Sequence, residues 1–253
     1  MSKYYNPKRT RNIFDPNSSE PFKISRSKLE LFTNCPRCFY LDRRLGVGQP
    51  PGYPFALNSA VDALLKNEFD HYRKEHRPHP LMTEYKLDAI PFDHKDIDLW
   101  RNALTAGISH YHKETNLIIS GGIDDVWINP ADELIIVDYK STSKNEAIIA
   151  LDQDWQDAYK RQMEIYQWLF KKNDFKVCPT GYFVYCNADS SKERFDGHLV
   201  FDITLIPHKG DDSWVEKTIQ DAKACLMSDK IPEPGPDCDY CRYREVANKY
   251  EKN

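Results

Sequence analysis

Two cysteine pairs constrain the fold of this chain more than any other feature. Cys35 and Cys38 form one C-x-x-C pair near the start of the 253 residues, and Cys238 and Cys241 form a second pair near the end. Four thiolates suit a zinc ion or an iron–sulfur cluster. If both pairs bind one such group, the first and last segments of the chain must meet as a clasp. The alternative is that the pairs lie apart as free thiols.

The remaining sequence indicates a reducing compartment. Residues 1–11 are polar and basic and lack the apolar segment of a secretory signal. No apolar run approaches the roughly 18 residues that a membrane span needs. We therefore expect a cytoplasmic protein with reduced thiols and no membrane partner. The other three cysteines, Cys178, Cys186 and Cys225, fall in strand or helix patterns and are expected to be small core residues.

An acidic hairpin near the middle of the chain carries the chemistry. Asp124 precedes a turn at 129–132, and the following apolar strand ends in Asp138, Tyr139 and Lys140. Because side chains alternate along a strand, Asp138 and Lys140 share one face. A short turn can also bring Asp124 close to Asp138. Two carboxylates and one ammonium can hold a divalent metal against a phosphate, which indicates a metal-dependent nuclease. The alternative is a surface ion pair at a strand end.

The order of the predicted elements favours an α/β fold, a mixed sheet flanked by helices. Strands at 108–112, 117–128 and 134–140 are expected to form a three-strand meander. A polar, basic tail over 1–22 is expected to be mobile, and 23–253 to form a single domain. Helices are predicted at 57–72, 96–104, 152–171 and 213–227, and further strands at 177–187 and 198–206.

Three motifs occur in the order of a known family. Asp124 comes first, Asp138-Tyr139-Lys140 second, and Tyr159-x-x-Gln162-x-x-x-Tyr166 third. This arrangement resembles the PD-(D/E)XK nuclease superfamily in its RecB-like branch, which includes the CRISPR-associated exonuclease with an iron–sulfur cluster. The resemblance extends from about residue 25 to residue 243, and it implies a restriction-endonuclease-like core over the predicted domain.

The resemblance implies a set of oxygen ligands for Mg²⁺ or Mn²⁺. Asp124, Asp138 and the backbone carbonyl of Tyr139 would bind the metal. The branch usually carries a metal-binding histidine on the preceding helix, where this chain has Asp62. An aspartate suits a hard cation, so Asp62 is a candidate ligand, although it can also be an exposed helix carboxylate. Glu68, further along the helix, is a weaker substitute.

The resemblance also implies catalytic roles. Lys140 would position the attacking water and stabilise charge on the phosphate. Gln162 and Tyr166 would lie beside the site, and their spacing of four residues places them on one helical face. The tryptophans are expected mainly in the core, and Trp127, beside the acidic strand, is the best candidate for stacking on a nucleic-acid base.

For the clasp, the resemblance favours a [4Fe–4S] cluster at Cys35, Cys38, Cys238 and Cys241. Iron–sulfur members of the family typically have one cysteine first and three last, whereas this chain has two and two. The C-x-x-C spacing alone favours structural Zn²⁺, which is the alternative.

The charge distribution is compatible with a nucleic-acid partner. The chain has a net charge of −4, but residues 1–50 contain ten Lys/Arg against four Asp/Glu. A phosphate-facing strip or an ordinary basic tail both fit this excess. The strip would comprise Lys8, Arg9, Arg11, Lys23, Arg26, Lys28, Arg37, Arg43 and Arg44.

The expected partner is therefore DNA, either single-stranded or with free ends, together with a helicase or a defence complex that supplies unwinding. Two rival functions stay open. One is a nucleic-acid-binding module whose active site has lapsed, which Asp62 in place of histidine suggests. The other is a zinc-stapled interaction subunit of a repair or CRISPR-type complex.

Overall fold

The computed structural model describes residues 9–50, 52 and 56–251. The helices are α1 (Arg26–Asn34), α2 (Pro36–Arg43), α3 (Ala56–Lys74), α4 (Pro80–Glu84), α5 (Ile97–Arg101), α6 (Asp157–Lys171), α7 (Val215–Met227) and α8 (Asp239–Glu251). The strands are β1 (Phe22–Ser25), β2 (Ile90–Pro91), β3 (Ile108–His112), β4 (Leu117–Gly121), β5 (Asp125–Ile128), β6 (Leu134–Thr142), β7 (Thr180–Ala188) and β8 (Phe201–Lys209). The chain is thus the mixed α/β protein that its sequence predicts.

The described residues divide into two compact units. The first lies within Met1–Tyr53, Ser109–Ser120 and Ser213–Asn253, and the second within Pro54–Ile108 and Gly121–Asp212. No helix among the described residues combines the length and the apolarity needed to cross a membrane.

The first unit contains a three-stranded sheet in the order β1-β4-β3, with β1 parallel to β4. The part of the predicted tail over residues 1–8, including Lys8, lies outside the described residues. Within the described part, Phe14 is buried and packs edge-on against Phe22, with ring centroids 5.4 Å apart. Three cations of the proposed basic strip, Arg9, Lys28 and Arg43, form ion pairs with the buried Asp42.

The second unit contains a five-stranded mixed sheet in the order β2-β5-β6-β7-β8. Strands β5 and β6 pair antiparallel, whereas β6 and β7 pair parallel. A parallel pair needs a crossover, and α6 supplies it. The amphipathic helix α3 packs Phe69 against Trp127 of β5 with ring centroids 5.2 Å apart. This packing fixes the strands whose ends carry the acidic residues.

The predicted three-strand meander is wrong, because the predicted strand 117–128 breaks into β4 and β5, which belong to different sheets. After Gly121 the chain turns to another partner: the Ile123 N–H donates to the Trp100 carbonyl at 3.1 Å. A Cβ at Gly122 would lie 2.5 Å from the Cβ of Ala103, so only glycine allows this approach. The break places Asp124 immediately before β5.

Candidate active site

The acidic hairpin brings Asp124 and Asp138 together. Strands β5 and β6 pair with Asp125 opposite Val137. Asp124, one residue before Asp125, and Asp138, one residue after Val137, are therefore neighbours. One oxygen of Asp124 (Oδ2) accepts the backbone N–H of Tyr139 at 2.9 Å. The Asp138 side chain is fully buried, and the ammonium of Lys140 forms an ion pair with its Oδ2. The alternation of β6 therefore does place Asp138 and Lys140 on one face.

Helix α6 brings the two predicted helical residues to this hairpin. The amide of Gln162 donates to Asp138 Oδ1 at 2.6 Å and lies 3.4 Å from the Tyr166 hydroxyl. That hydroxyl donates to the carbonyl of Gly122 at 2.6 Å. Gln162 therefore orients a site carboxylate directly, whereas Tyr166, which is buried, fastens the helix to the start of the hairpin.

On helix α3, Lys66 links Asp62 to the hairpin. Lys66 Nζ lies 2.8 Å from Asp62 Oδ2 and 3.5 Å from Asp124 Oδ1, so one ammonium lies between the two carboxylates. Glu68, the weaker substitute, is instead hydrogen-bonded to His79 at 2.8 Å. Asp62 is thus the α3 carboxylate that faces the hairpin.

The electrostatics keep Lys140 charged. Burial alone would lower its pKa, but the nearby carboxylates of Asp138 and Asp124 outweigh burial and raise the pKa above its ordinary value. The ammonium also lies 4.5 Å from the ring centroid of Tyr159, a cation–π contact. At neutral pH the site therefore contains a fixed positive charge beside two carboxylates.

The donor set fits a hard divalent cation. Each site carboxylate lies beside an ammonium group. Lys66 lies beside Asp62 and Asp124, and Lys140 lies beside Asp138. Carboxylate oxygens are ligands that Mg²⁺ and Mn²⁺ prefer. Lys66 shows that the space between Asp62 and Asp124 accepts a cation, and its ammonium competes with any metal for those oxygens.

A buried charge network behind the hairpin was not predicted from the sequence. Asp125 is fully buried and forms ion pairs with Arg73 and Arg101. Arg101 also donates to the carbonyl of Asp124 at 3.0 Å and to both oxygens of Asp70. The network therefore fixes the backbone that presents Asp124. Alternation offered a signal, since Asp125 must point away from Asp124 and into an apolar layer, where a carboxylate needs cationic partners.

Trp127 is not available for stacking on a base. It is fully buried, and its indole N–H donates to Asp125 Oδ2 at 3.3 Å. The expectation that it is the best stacking candidate is wrong, because Asp125 and Trp127 lie two residues apart on β5 and therefore share the core face. The broader expectation of a core role holds for Trp127, as it does for Trp100 and Trp168, which are also buried.

The four cysteines of the predicted clasp lie together within the first unit. Their sulfur atoms all lie within 4.8 Å of one another, and three pairs are separated by 3.6–3.8 Å. Among the residues that the structure describes, they form the one group of three or more Cys, His, Asp or Glu gathered so closely. The joining of the N-terminal and C-terminal segments is thus confirmed.

Local hydrogen bonds favour the thiolate form of one cysteine of this cluster, Cys35. Cys35 caps the start of α2, and its sulfur accepts the N–H of Cys38 at 3.4 Å and that of Gly235 at 3.2 Å. Burial alone would raise the pKa of the Cys35 thiol, but these two hydrogen bonds help lower it to about 7. A Cβ at Gly235 would lie 1.9 Å from the Asn34 carbonyl oxygen, so glycine is required for this backbone approach.

Of the comparisons with known proteins, a family model identifies the chain. No curated protein matches the chain. A solved structure titled "Crystal structure of SSO0001" is similar, with 15% identity, 91% of this chain and 87% of that chain covered, and a TM-score of 0.39. The family model of the PD-(D/E)XK nuclease superfamily matches residues 48–246. The chain therefore belongs to the PD-(D/E)XK nuclease superfamily.

Proposed function

We propose that this protein is a nuclease of the RecB-like branch that hydrolyses DNA phosphodiester bonds with Mg²⁺ or Mn²⁺. The observation that carries the proposal is the convergence of Asp124, Asp138 and Lys140. Gln162 is hydrogen-bonded to the Asp138 carboxylate. The activity is exonuclease-like and acts on single strands or free ends in DNA repair or defence. A helicase or a defence complex in the cytoplasm is the proposed partner.

The proposed metal ligands are Asp124, Asp138 and the carbonyl of Tyr139, with Asp62 as a fourth candidate. These residues would hold a metal whose Lewis acidity would lower the pKa of a water and offset charge that develops on the phosphate. The Asp124 carboxylate is held for this task by the Tyr139 N–H, and Asp138 is held by Gln162. These contacts fix the carboxylate oxygens before substrate binds. Groups that are already oriented in this way lower the activation barrier of the reaction.

Lys140 acts on the substrate. Its ammonium lies beside the Asp138 carboxylate, where it would donate a hydrogen bond to the non-bridging oxygens and orient the attacking water. Removing one preorganised donor of this kind typically costs about 10²–10³-fold in rate. No covalent protein intermediate is required.

The test compares variants in a cleavage assay on linear and circular DNA, with Mg²⁺ or Mn²⁺. We expect Asp138→Asn and Lys140→Ala each to lower the rate at least about 100-fold while the far-ultraviolet spectrum is unchanged. Asp174→Asn is the matched control, because Asp174 also stands two residues before a lysine but lies exposed in a turn. Wild-type rates in either site variant would remove the basis of the proposal.

A lapsed nucleic-acid-binding module is the second candidate function. The contact of Lys66 with both Asp62 and Asp124 favours it, because an ammonium at this position competes with a metal for the same oxygens. The same assay separates the two functions: a module that binds DNA without metal-dependent cleavage is the lapsed form.

For the four cysteines, we propose structural zinc in preference to a [4Fe–4S] cluster. Tetrahedral Zn²⁺ with Zn–S bonds of about 2.3 Å places its ligand sulfurs about 3.8 Å apart. The sulfur separations of 3.6–3.8 Å support this choice, since four irons between the thiolates need a wider cage. Anaerobic purification with elemental analysis tests it: about one zinc per chain is expected, and brown protein that absorbs near 400 nm contradicts it. Zinc without nuclease activity or DNA affinity would favour the interaction-subunit role.

A further inference from the structure

An open groove of about 780 Å³ in the second unit extends from the end of the proposed catalytic strand. Strand β6 continues past Lys140 into Ser141 and Thr142, which line the groove. Tyr159 also lines it, and this is the ring whose centroid lies 4.5 Å from Lys140 Nζ. The groove is therefore continuous with the proposed site, and we call it the aromatic groove.

Aromatic surface is available in this groove. The Trp155 side chain lines it and is 54% exposed, whereas Trp100, Trp127 and Trp168 are buried. Trp155 contacts Tyr159 edge to face, with ring centroids 5.6 Å apart. An exposed indole fixed beside a second ring provides a flat apolar platform whose faces are the right size for a nucleobase.

The polar lining of the groove complements an anionic chain. Lys144 and the hydroxyl residues Ser141–Ser143 lie along one side, and the lining includes no aspartate or glutamate among the described residues. The protein as a whole has 39 acidic residues and a net charge of −4, so a groove without carboxylates is notable. A cation and hydroxyls beside aromatic rings match the sugar-phosphate backbone and the bases of one strand.

We propose that the aromatic groove binds unpaired nucleotides next to the scissile phosphate, with Trp155 stacking on a base and Tyr159 supporting the indole edge to face. The proposal rests on the proposed nuclease function and specifies its substrate as single-stranded nucleic acid. A base within a duplex is stacked on its neighbours and presents no free face to Trp155. An unpaired strand presents both its bases and its backbone, and it can enter a groove beside Lys140.

The test measures binding of a fluorescent oligothymidylate of about 12 nucleotides, within the range of single-strand sites. Calcium replaces magnesium so that affinity is measured separately from cleavage. We expect Trp155→Ala to weaken binding about fivefold or more, because stacking contributes about 1–3 kcal/mol per base. Trp155→Phe should retain most of the affinity. Phe195→Ala is the matched control, since Phe195 is 70% exposed and is not part of the groove lining.

A second probe needs no mutation. The wild type should bind the same oligonucleotide with abasic residues about tenfold more weakly than the intact probe. The Trp155→Ala variant should bind the two probes about equally. Equal wild-type affinity for the two probes, equal affinity of wild type and Trp155→Ala, or stronger binding of a blunt duplex each overturns the inference. Cleavage without these differences rejects the groove alone, whereas stacking without metal-dependent cleavage rejects the nuclease proposal alone.

Discussion

Removing the Asp125 carboxylate should destabilise the second unit more than any surface change. Asp125 is fully buried and pairs with two guanidiniums, Arg73 and Arg101, whose side chains are 5% and 8% exposed. It also accepts the hydroxyl of Tyr139 at 2.8 Å. Removing one partner of a buried ion pair costs about 3–5 kcal/mol, because the remaining charge stays desolvated.

The structure places Asp125→Ala near the lower end of that range. Both guanidiniums keep Asp70 as a partner, and Arg101 binds it through two oxygens. We therefore expect a loss of about 3 kcal/mol in the free energy of unfolding. With a urea dependence of about 2 kcal/mol per molar, the midpoint should fall by about 1.5 M. Asp125→Asn, which retains a hydrogen-bond acceptor but no charge, should give an intermediate shift.

Urea unfolding followed by tryptophan fluorescence and circular dichroism measures this loss. Trp127, one of the five tryptophans, donates to Asp125 and therefore contributes a signal from the network. The control is Glu75→Ala, which removes an exposed ion pair with Arg77 and should leave the midpoint unchanged. A shift below about 0.3 M for Asp125→Ala would refute the argument that this buried carboxylate carries a large share of the stability.

Three further predictions concern charge and metal. Lys66→Met should tighten Mn²⁺ binding by up to about tenfold in calorimetric titrations, because no ammonium then competes for Asp62 and Asp124; unchanged affinity would contradict the assignment of Lys66 as a competitor. Burial alone would raise the pKa of Asp70, but hydrogen bonds from Arg101 and Arg73 hold it below its ordinary value. Its stabilisation is therefore complete above about pH 5 and lost as the pH falls below about 4, so urea midpoints should fall in that window and Asp70→Asn should flatten the fall. Treatment with a strong chelator, which would remove the proposed metal from the four clustered cysteines, should lower the melting temperature and make four more thiols reactive; a melting temperature and a thiol count that do not change would argue against a bound metal.

The sequence predicted the gathering of the site residues because strand alternation and helical spacing are local rules. Asp138 and Lys140 lie two apart on one strand, and Gln162 and Tyr166 four apart on one helix, so each pair shares a face wherever its element packs. The family resemblance then placed the two elements side by side. Their chemical roles are still predictions that the variants above test.

The parts that the sequence missed depend on contacts between distant residues. The sequence predicts a continuous strand through Gly122. The turn there depends on the close approach of Ala103, which is distant in sequence. The partners of Asp125 lie 52 and 24 residues away, on α3 and α5. The burial of Trp127 was missed although its neighbours Val126 and Ile128 are apolar, whereas Trp155 stands between Asp154 and Gln156 and faces solvent.

The four-cysteine site of the first unit can be completed only late in synthesis of the chain. Cys38 and Cys238 are 200 residues apart, so at 5–20 residues per second a ribosome makes the second on the order of 10–40 s after the first. During that interval the early cysteines have no late partners, and any metal they hold is bound by two protein thiolates. A truncated product that ends before Cys238 would keep only the two early thiolates, so it is expected to bind a metal more weakly than the full chain does.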